Sequence, residues 1–209
     1  MISLIIVAQN KWQDYATPFI GSIYRHAGWE VEVVLVDNGS PDPYQKEQFS
    51  EVIRLDPDEN YNYMKALNAG ARAASGDWLV FCNDDILCTG PFSDQINSLP
   101  KDFLYGNEIR QKSRAWGLEF QYIYGWMLIM HRTLWEDVGP YDEYYLHAGF
   151  DDLDFSWRSQ RAGYALRKLE LPFTHLADLP GGIHRRYKVS QYTNNMSRSK
   201  AHFLKKSRG

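Results

Sequence analysis

Between Ile2 and Asp85 the chain alternates short apolar runs with stretches of helical periodicity, and two of those runs stop abruptly at carboxylates. The clearer one is WLVFC, Trp78 to Cys82. It follows a turn signal at Ser75, Gly76 and Asp77, reads as a buried strand, and delivers Asp84 and Asp85 at its end. The other, Val31 to Val36, stops at Asp37, Asn38, Gly39 and Ser40. In an open parallel sheet, ligands bind outside the carboxyl ends of the strands. Both sets of acids are therefore expected on one rim, as candidates for a metal-diphosphate site.

The alternation predicts strands at Ile2–Ala8, Glu30–Val36, Val52–Leu55 and Trp78–Cys82. Helices are expected at Gln13–His26, Pro43–Ser50 and Tyr63–Ala74. This rhythm argues for an α/β fold with a doubly wound, mostly parallel sheet. Beyond Asp85 the pattern changes. Phe103–Gln111 and Phe120–Tyr124 read as strands at an edge or outside the parallel run, and Gly125–Met130 as a strong strand. Short helices are expected at Arg132–Val138 and Asp151–Ala162, the second closed by Gly163, with a last extended piece at Leu171–His175. A chain of 209 residues fits one domain that buries roughly 70% of its unfolded surface.

Composition excludes more than it identifies. A formal charge of −3 argues against wholesale nucleic-acid binding. The two cysteines, Cys82 and Cys88, match no usual zinc spacing and make no disulfide framework, so a reduced, cytoplasmic protein is expected. The N-terminus lacks a basic flank and reads as a strand, and no apolar segment approaches the roughly 20 residues needed to span a bilayer. The first βα turn, Ala8 to Gln13, contains no glycine-rich loop, which disfavours dinucleotide oxidoreductases, P-loop enzymes and sugar-nucleotide pyrophosphorylases.

A second acidic cluster, Asp151, Asp152 and Asp154, stands at a helix start. One acid there is explained by capping and the helix dipole, and Asp154 with Arg158 by an i,i+4 salt bridge. Asp151 and Asp152 together demand more than capping. Two rivals stay open at this point. One is a non-catalytic sugar-nucleotide or glycan-binding module; the other is a glycoside hydrolase with one acid from each cluster.

These segments, in order from Ile2 to about His175, resemble family 2 glycosyltransferases. Asp37–Ser40, Asn60–Gly70 and Ser75–Asp85 look like the nucleotide-binding half of that family. Gly139–Glu143 and Phe150–Tyr164 are similar to its acceptor half. The resemblance implies a GT-A fold and inverting transfer from a nucleotide sugar to a glycan or lipid-linked acceptor, with a divalent cofactor, Mn2+ or Mg2+. By the same resemblance, nucleotide contacts fall on Ala8, Asp37, Asn38, Asn68 and Asp84, and the metal on Asp85 with His175 or His184. The base falls on Asp152 with Asp151 in support, or the reverse, and acceptor-side residues are Gly125, Trp126 and Arg158. No Gln-x-x-Arg-Trp motif follows, so the processive branch is not expected.

The expected organisation is a domain over 1–180, split near residue 88 into nucleotide and acceptor halves, followed by a basic tail over 181–209. From His184 to Gly209 there are eight Lys or Arg and no Asp or Glu. Such a tail reads either as a solvated terminus or as a peripheral contact with anionic lipid or a phosphorylated acceptor. On either reading, removing the residues after Tyr187 is expected to leave nucleotide binding intact.

Overall fold

The computed structural model describes residues 1–10, 13–27, 31–44, 51–57, 62–112, 120–146, 149–176 and 189–207. Its centre is a seven-stranded mixed sheet. Strands β1 (Ile2–Ala8), β2 (Val31–Asn38), β3 (Glu51–Leu55) and β4 (Trp78–Cys82) run parallel, in the spatial order β3-β2-β1-β4. β7 (Phe120–His131) then joins β4 antiparallel, β6 (Phe103–Lys112) joins β7 antiparallel, and β8 (Ala165–Lys168) closes that side parallel to β6. A separate two-stranded antiparallel ribbon pairs β5 (Ile86–Cys88) with β9 (Phe173–His175).

Every residue of β1 and β4 is buried, because both faces of the sheet are covered. Alternation then divides the core. Ile2, Leu4 and Ile6 pack with Phe19, Ile20 and Ile23 of α1 (Ala16–Ala27) and Ile96 of α3 (Ser93–Asn97). Ile5 and Val7 point the other way, into a layer with Met64, Leu67 and Ala71 of α2 (Tyr63–Ala73). The same layer holds Leu134 of α4 (Arg132–Val138), Leu153 and Phe155 of α5 (Asp151–Arg161), and Phe203 of α6 (Val189–Ser207).

Several expectations are corrected here. Phe120–Tyr124 and Gly125–Met130 form one strand, interrupted by a register shift in which Tyr124 and Leu128 of β7 face Glu108 and Gly106 of β6. Three β7 residues thus oppose one of β6, a bulge that an internal glycine such as Gly125 signals. β6 and β7 lie outside the parallel run, as one of the two expected alternatives has it, because β7 pairs antiparallel with β4 and β6 antiparallel with β7. Neither is an edge, since β8 covers the outer side of β6. The helix expected at Pro43–Ser50 falls mostly outside the described residues. α5 ends as expected: Gly163 at φ 96 lets Tyr164 N–H reach Ser159 O at 3.0 Å and Gly163 N–H reach Gln160 O at 3.1 Å.

The terminal segment is no solvated tail over 189–207. α6 packs Phe203, fully buried, against Phe120, Phe150 and Trp157. Its Lys206 ammonium lies 2.8 Å from Asp154 and 3.0 Å from Asp142, and His202 stacks on Tyr144 with centroids 3.9 Å apart. Residues 181–188 lie outside the described residues. No helix among the described residues is long and apolar enough to cross a membrane.

Candidate active site

The parallel strands end on one rim. β1 closes with Ala8 opposite Asp37, and β4 closes with Cys82 opposite Ile6, so Asp37, Asp84 and Asp85 emerge on the same side. Asp37 is fully buried; its Oδ1 accepts from Ser40 N–H at 2.8 Å and its Oδ2 from Arg54 Nη1 at 2.5 Å. Arg54 also donates to Ser40 O at 2.7 Å, and Ser40 Oγ accepts from Asn10 N–H at 3.0 Å. Asp37 therefore organises the Asn38–Ser40 turn as well as facing the rim. Arg54 was not expected at the site, though a lone cation inside the apolar β3 run signals a buried partner. Beside it, Asn38 is 4% exposed, and its Nδ2 donates to nothing among the described residues. Asn10, at φ 56, is one of two non-glycine residues with left-handed backbone among those described.

The β5–β9 ribbon builds the centre of the site. Ile86 pairs with His175, and Leu176 N–H donates to Asp85 O at 2.8 Å. His175 Nε2 consequently stands 3.5 Å from Asp85 Oδ1. That oxygen is buried and accepts no hydrogen bond among the described residues. An imidazole nitrogen and a carboxylate oxygen at this separation suit two ligands of one divalent cation, whose bonds to such atoms are about 2.0–2.2 Å. No group of three or more metal-ligating side chains occurs among the described residues. Two protein ligands fit a hard cation that keeps waters and takes its remaining oxygens from a diphosphate. The residues present therefore fit the metal. His184 lies outside the described residues.

Trp126 borders this pair, its ring edge-on to His175 at 6.2 Å, and its carbonyl accepts from Asn83 N–H at 3.0 Å. The β7 bulge is thereby tied to the turn that carries Asp84, which is 1% exposed, and Asp85. Gly125 lies within that bulge.

α5 lies along β7 in a readable register. Gln160 Nε2 donates to Gln121 O at 2.8 Å, and Ser156 Oγ accepts from Ile123 N–H at 3.0 Å. Four helical residues advance about 6 Å and two strand residues about 6.7 Å, so the next helical turn carries Asp152 past Ile123 in the direction of the bulge. Asp152 shares the helix face of Ser156 and Gln160 at i,i+4 spacing. Tyr122 registers it: burial pushes that phenol up, and the Asp152 charge pushes it further. Asp152 Oδ1 also accepts from Leu153 N–H at 2.8 Å. Asp151 points elsewhere. Its Oδ1 accepts from Gly149 N–H at 2.7 Å, and burial raises its carboxyl above the usual range, against the pull of that backbone bond. The turn before it is held by Phe150 at φ 74, buried against Phe203.

Two expected site residues have other tasks. Asn68, 1% exposed, donates to Tyr141 O at 2.9 Å and Glu143 Oε1 at 3.0 Å and accepts from Tyr141 N–H at 2.9 Å. Its amide tethers the 141–143 loop. Arg158 pairs with Asp154 at 2.8 Å and donates to Val138 O at 2.8 Å and Gly139 O at 3.2 Å, so it braces α5 against α4.

A family model described as "Glycosyl transferase family 2" matches residues 3–130. No curated protein matches the chain in sequence. Among solved structures, it is similar to GalNAc-T7 with UDP, GalNAc and Mn2+, at TM-score 0.67 and 15% identity over 94% of this chain and 47% of that one. It is similar to the Staphylococcus aureus protein TarS, residues 1–349, in complex with UDP, at TM-score 0.64 and 15% identity over 97% and 64%. The mannosyltransferase PcManGT from Pyrobaculum calidifontis, in complex with GDP-Man and Mn2+, matches at TM-score 0.60 and 17% identity over 80% and 54%. The chain spans about half to two thirds of the length of these structures, and at such identities the likeness speaks for the fold, which is GT-A.

Proposed function

The chain belongs to glycosyl transferase family 2, and on that premise we propose that it transfers a sugar from a nucleotide-sugar donor to an acceptor hydroxyl, with inversion and with a divalent metal on the diphosphate. The observation that carries this reading is the Asp85–His175 pair at 3.5 Å, with Asp152 one helical turn before Ser156, whose Oγ meets β7 at Ile123. A metal site for the leaving diphosphate and a carboxylate for the acceptor then flank one space. That similar folds were solved with UDP or GDP-Man, two of them with Mn2+, supports the same reading.

In this mechanism the nucleotide lies along the rim from Ala8 to Asp84, with the Asp37–Ser40 turn pre-shaped by Arg54 and Asn10. The Asn38 amide offers a buried donor to the base or ribose. Asp85 and His175 would hold Mn2+ or Mg2+, which when bound neutralises charge on the departing diphosphate. Asp152 accepts the proton of the acceptor hydroxyl as it attacks the anomeric carbon from the face opposite the diphosphate. Inversion follows from that single displacement. Asp151, anchored to Gly149, fixes the turn so that Asp152 keeps its direction. The acceptor is a glycan or a lipid-linked sugar.

Titration calorimetry with UDP, GDP, dTDP and CDP, with and without Mn2+, tests the donor half. Binding of one nucleotide that depends on Mn2+ is expected; a protein that binds none of the four in either condition defeats the reading. A hundredfold excess over the dissociation constant stabilises by about 2.7 kcal/mol, so a thermal-shift panel gives the same answer.

A further inference from the structure

The β7 bulge exposes an aromatic ring that the mechanism above does not use. Tyr124 is 40% exposed, whereas Tyr122 and Ile123 beside it are buried. The Arg110 guanidinium lies over the Tyr124 ring, 3.3 Å from its centroid. Glu108, directly across the ladder from Tyr124, holds that guanidinium by two bonds, from Nε to Oε1 at 2.7 Å and from Nη2 to Oε2 at 3.1 Å. A carboxylate thus fixes a guanidinium, which in turn braces a ring. A ring braced in this way loses less rotamer freedom when something lands on it.

Its place is as telling as its exposure. Two residues along β7, Trp126 meets His175 of the metal pair; two residues the other way, Tyr122 meets Tyr124 edge-on at 6.5 Å and senses Asp152. Tyr124 therefore stands on β7 between Tyr122, which feels the Asp152 charge, and Trp126, which meets His175.

We infer that Tyr124, Glu108 and Arg110 form the acceptor subsite, and that the group they take is an uncharged pyranose. The inference rests on the transferase reading above. The C–H face of the sugar lies on the exposed part of the Tyr124 ring, and its hydroxyls bond to the Glu108 carboxylate and the Arg110 N–H groups. Charge decides the class. Among the described residues, Arg110 is already neutralised by Glu108, and the further charge that reaches Tyr122 beside them, Asp152, is an acid. A phosphate or a uronate would meet a cancelled cation and a nearby carboxylate; a neutral sugar meets none of that repulsion.

Saturation-transfer difference NMR on the intact chain tests this. The probes are the methyl glycosides of glucose, galactose and N-acetylglucosamine, with methyl glucuronide as the charged comparison. The proteins are wild type, Tyr124→Ala, Tyr124→Phe and Arg110→Ala, each also titrated with UDP and GDP in the presence of Mn2+. At least one uncharged glycoside should receive saturation. Tyr124→Ala should weaken it about fivefold, the change one lost aromatic contact makes, and Tyr124→Phe should retain it. Arg110→Ala should weaken it as well, with nucleotide affinity equal in all four proteins. Preferential binding of the glucuronide, no binding of any neutral glycoside, or wild-type binding by Tyr124→Ala would each overturn the inference. Tyr124-dependent glycoside binding in a wild-type protein that binds no nucleotide would leave the subsite standing and remove the transferase reading alone.

Discussion

Asp85 Oδ1 and His175 Nε2 face one another at 3.5 Å across the β5–β9 ribbon, although 90 positions separate the two residues (175 − 85). Asp85→Asn keeps the side chain's size but removes the charge that a divalent ion needs. In Asp85→Asn and in His175→Ala, the Mn2+-dependent part of nucleotide affinity should fall by at least the roughly 10–100-fold that even outer partners of a metal site cost. Calorimetry with and without Mn2+ measures that part directly, and an unchanged metal dependence in both variants would reject the pair.

The two acids of α5 should separate cleanly. Asp152→Asn should bind nucleotide as wild type does and lose about 10²–10⁴-fold in transfer rate, the usual loss when a general base is removed. Asp151→Asn should be milder. Single-turnover rates in the two variants decide it, and the reverse ranking would move the base to Asp151.

Asp151 also makes a stability prediction with a definite sign. Its folded-state carboxyl is raised by burial above the unfolded value of about 3.9. An acid raised on folding contributes stability below its unfolded pKa and loses it as pH rises through the folded pKa. Asp151→Asn, whose amide oxygen still accepts from Gly149, should therefore melt above wild type at pH 8. The gap should close below pH 4. Melting curves at the two pH values check it; a lower melting point at pH 8 would show that the charge is stabilising.

Asp142 behaves oppositely. Burial alone would raise it, but His202, the Tyr144 N–H and Lys206 outweigh burial and bring it down to about 2. Its contribution is therefore fully present above the unfolded value of about 3.9 and is lost as pH falls towards 2. Asp142→Asn should be less stable than wild type at neutral pH, with a shallower decline between pH 4 and pH 2. Acid titration followed by near-UV circular dichroism reads both.

The C-terminal helix should be part of the domain's stability. Phe203→Ala empties a fully buried position and should cost about 3–5 kcal/mol. Lys206→Ala, which leaves Asp154 with Arg158 still in place, should cost about 1–3 kcal/mol. Removing the residues after Tyr187 should then lower the melting temperature sharply, whatever the acceptor. Urea denaturation of the three variants is the measurement, and wild-type midpoints would show that α6 is only laid on the surface.

Much of this protein was legible without coordinates. The apolar runs that become β1, β2 and β4 are buried on both faces, so they appear as continuous hydrophobic segments, and their ends place Asp37, Asp84 and Asp85 on one rim. The start of α5 was equally plain, because a helix N-terminus crowded with acids exceeds what capping needs. The bonds that Asn68 and Arg158 make to backbone carbonyls 73 and 20 residues away were not legible, because no local pattern records them.

Local sequence determined the strands, the helices and the rim, because hydrophobic period and turn chemistry act over a few residues. Only the tertiary structure decided which distant groups share a space. The approach of His175 to Asp85 came from the β5–β9 pairing, two runs of three residues too short to carry a pattern of their own. The direction of Asp152 came from the register of α5 on β7, and the exposure of Tyr124 from a bulge that depends on how β6 meets that strand. The burial of α6 had the same origin: its basic residues look like a solvated terminus until Asp142 and Asp154 are placed beneath Lys206. Pairing, register and charge compensation between separated segments are properties of the packed chain, and the site is made of them.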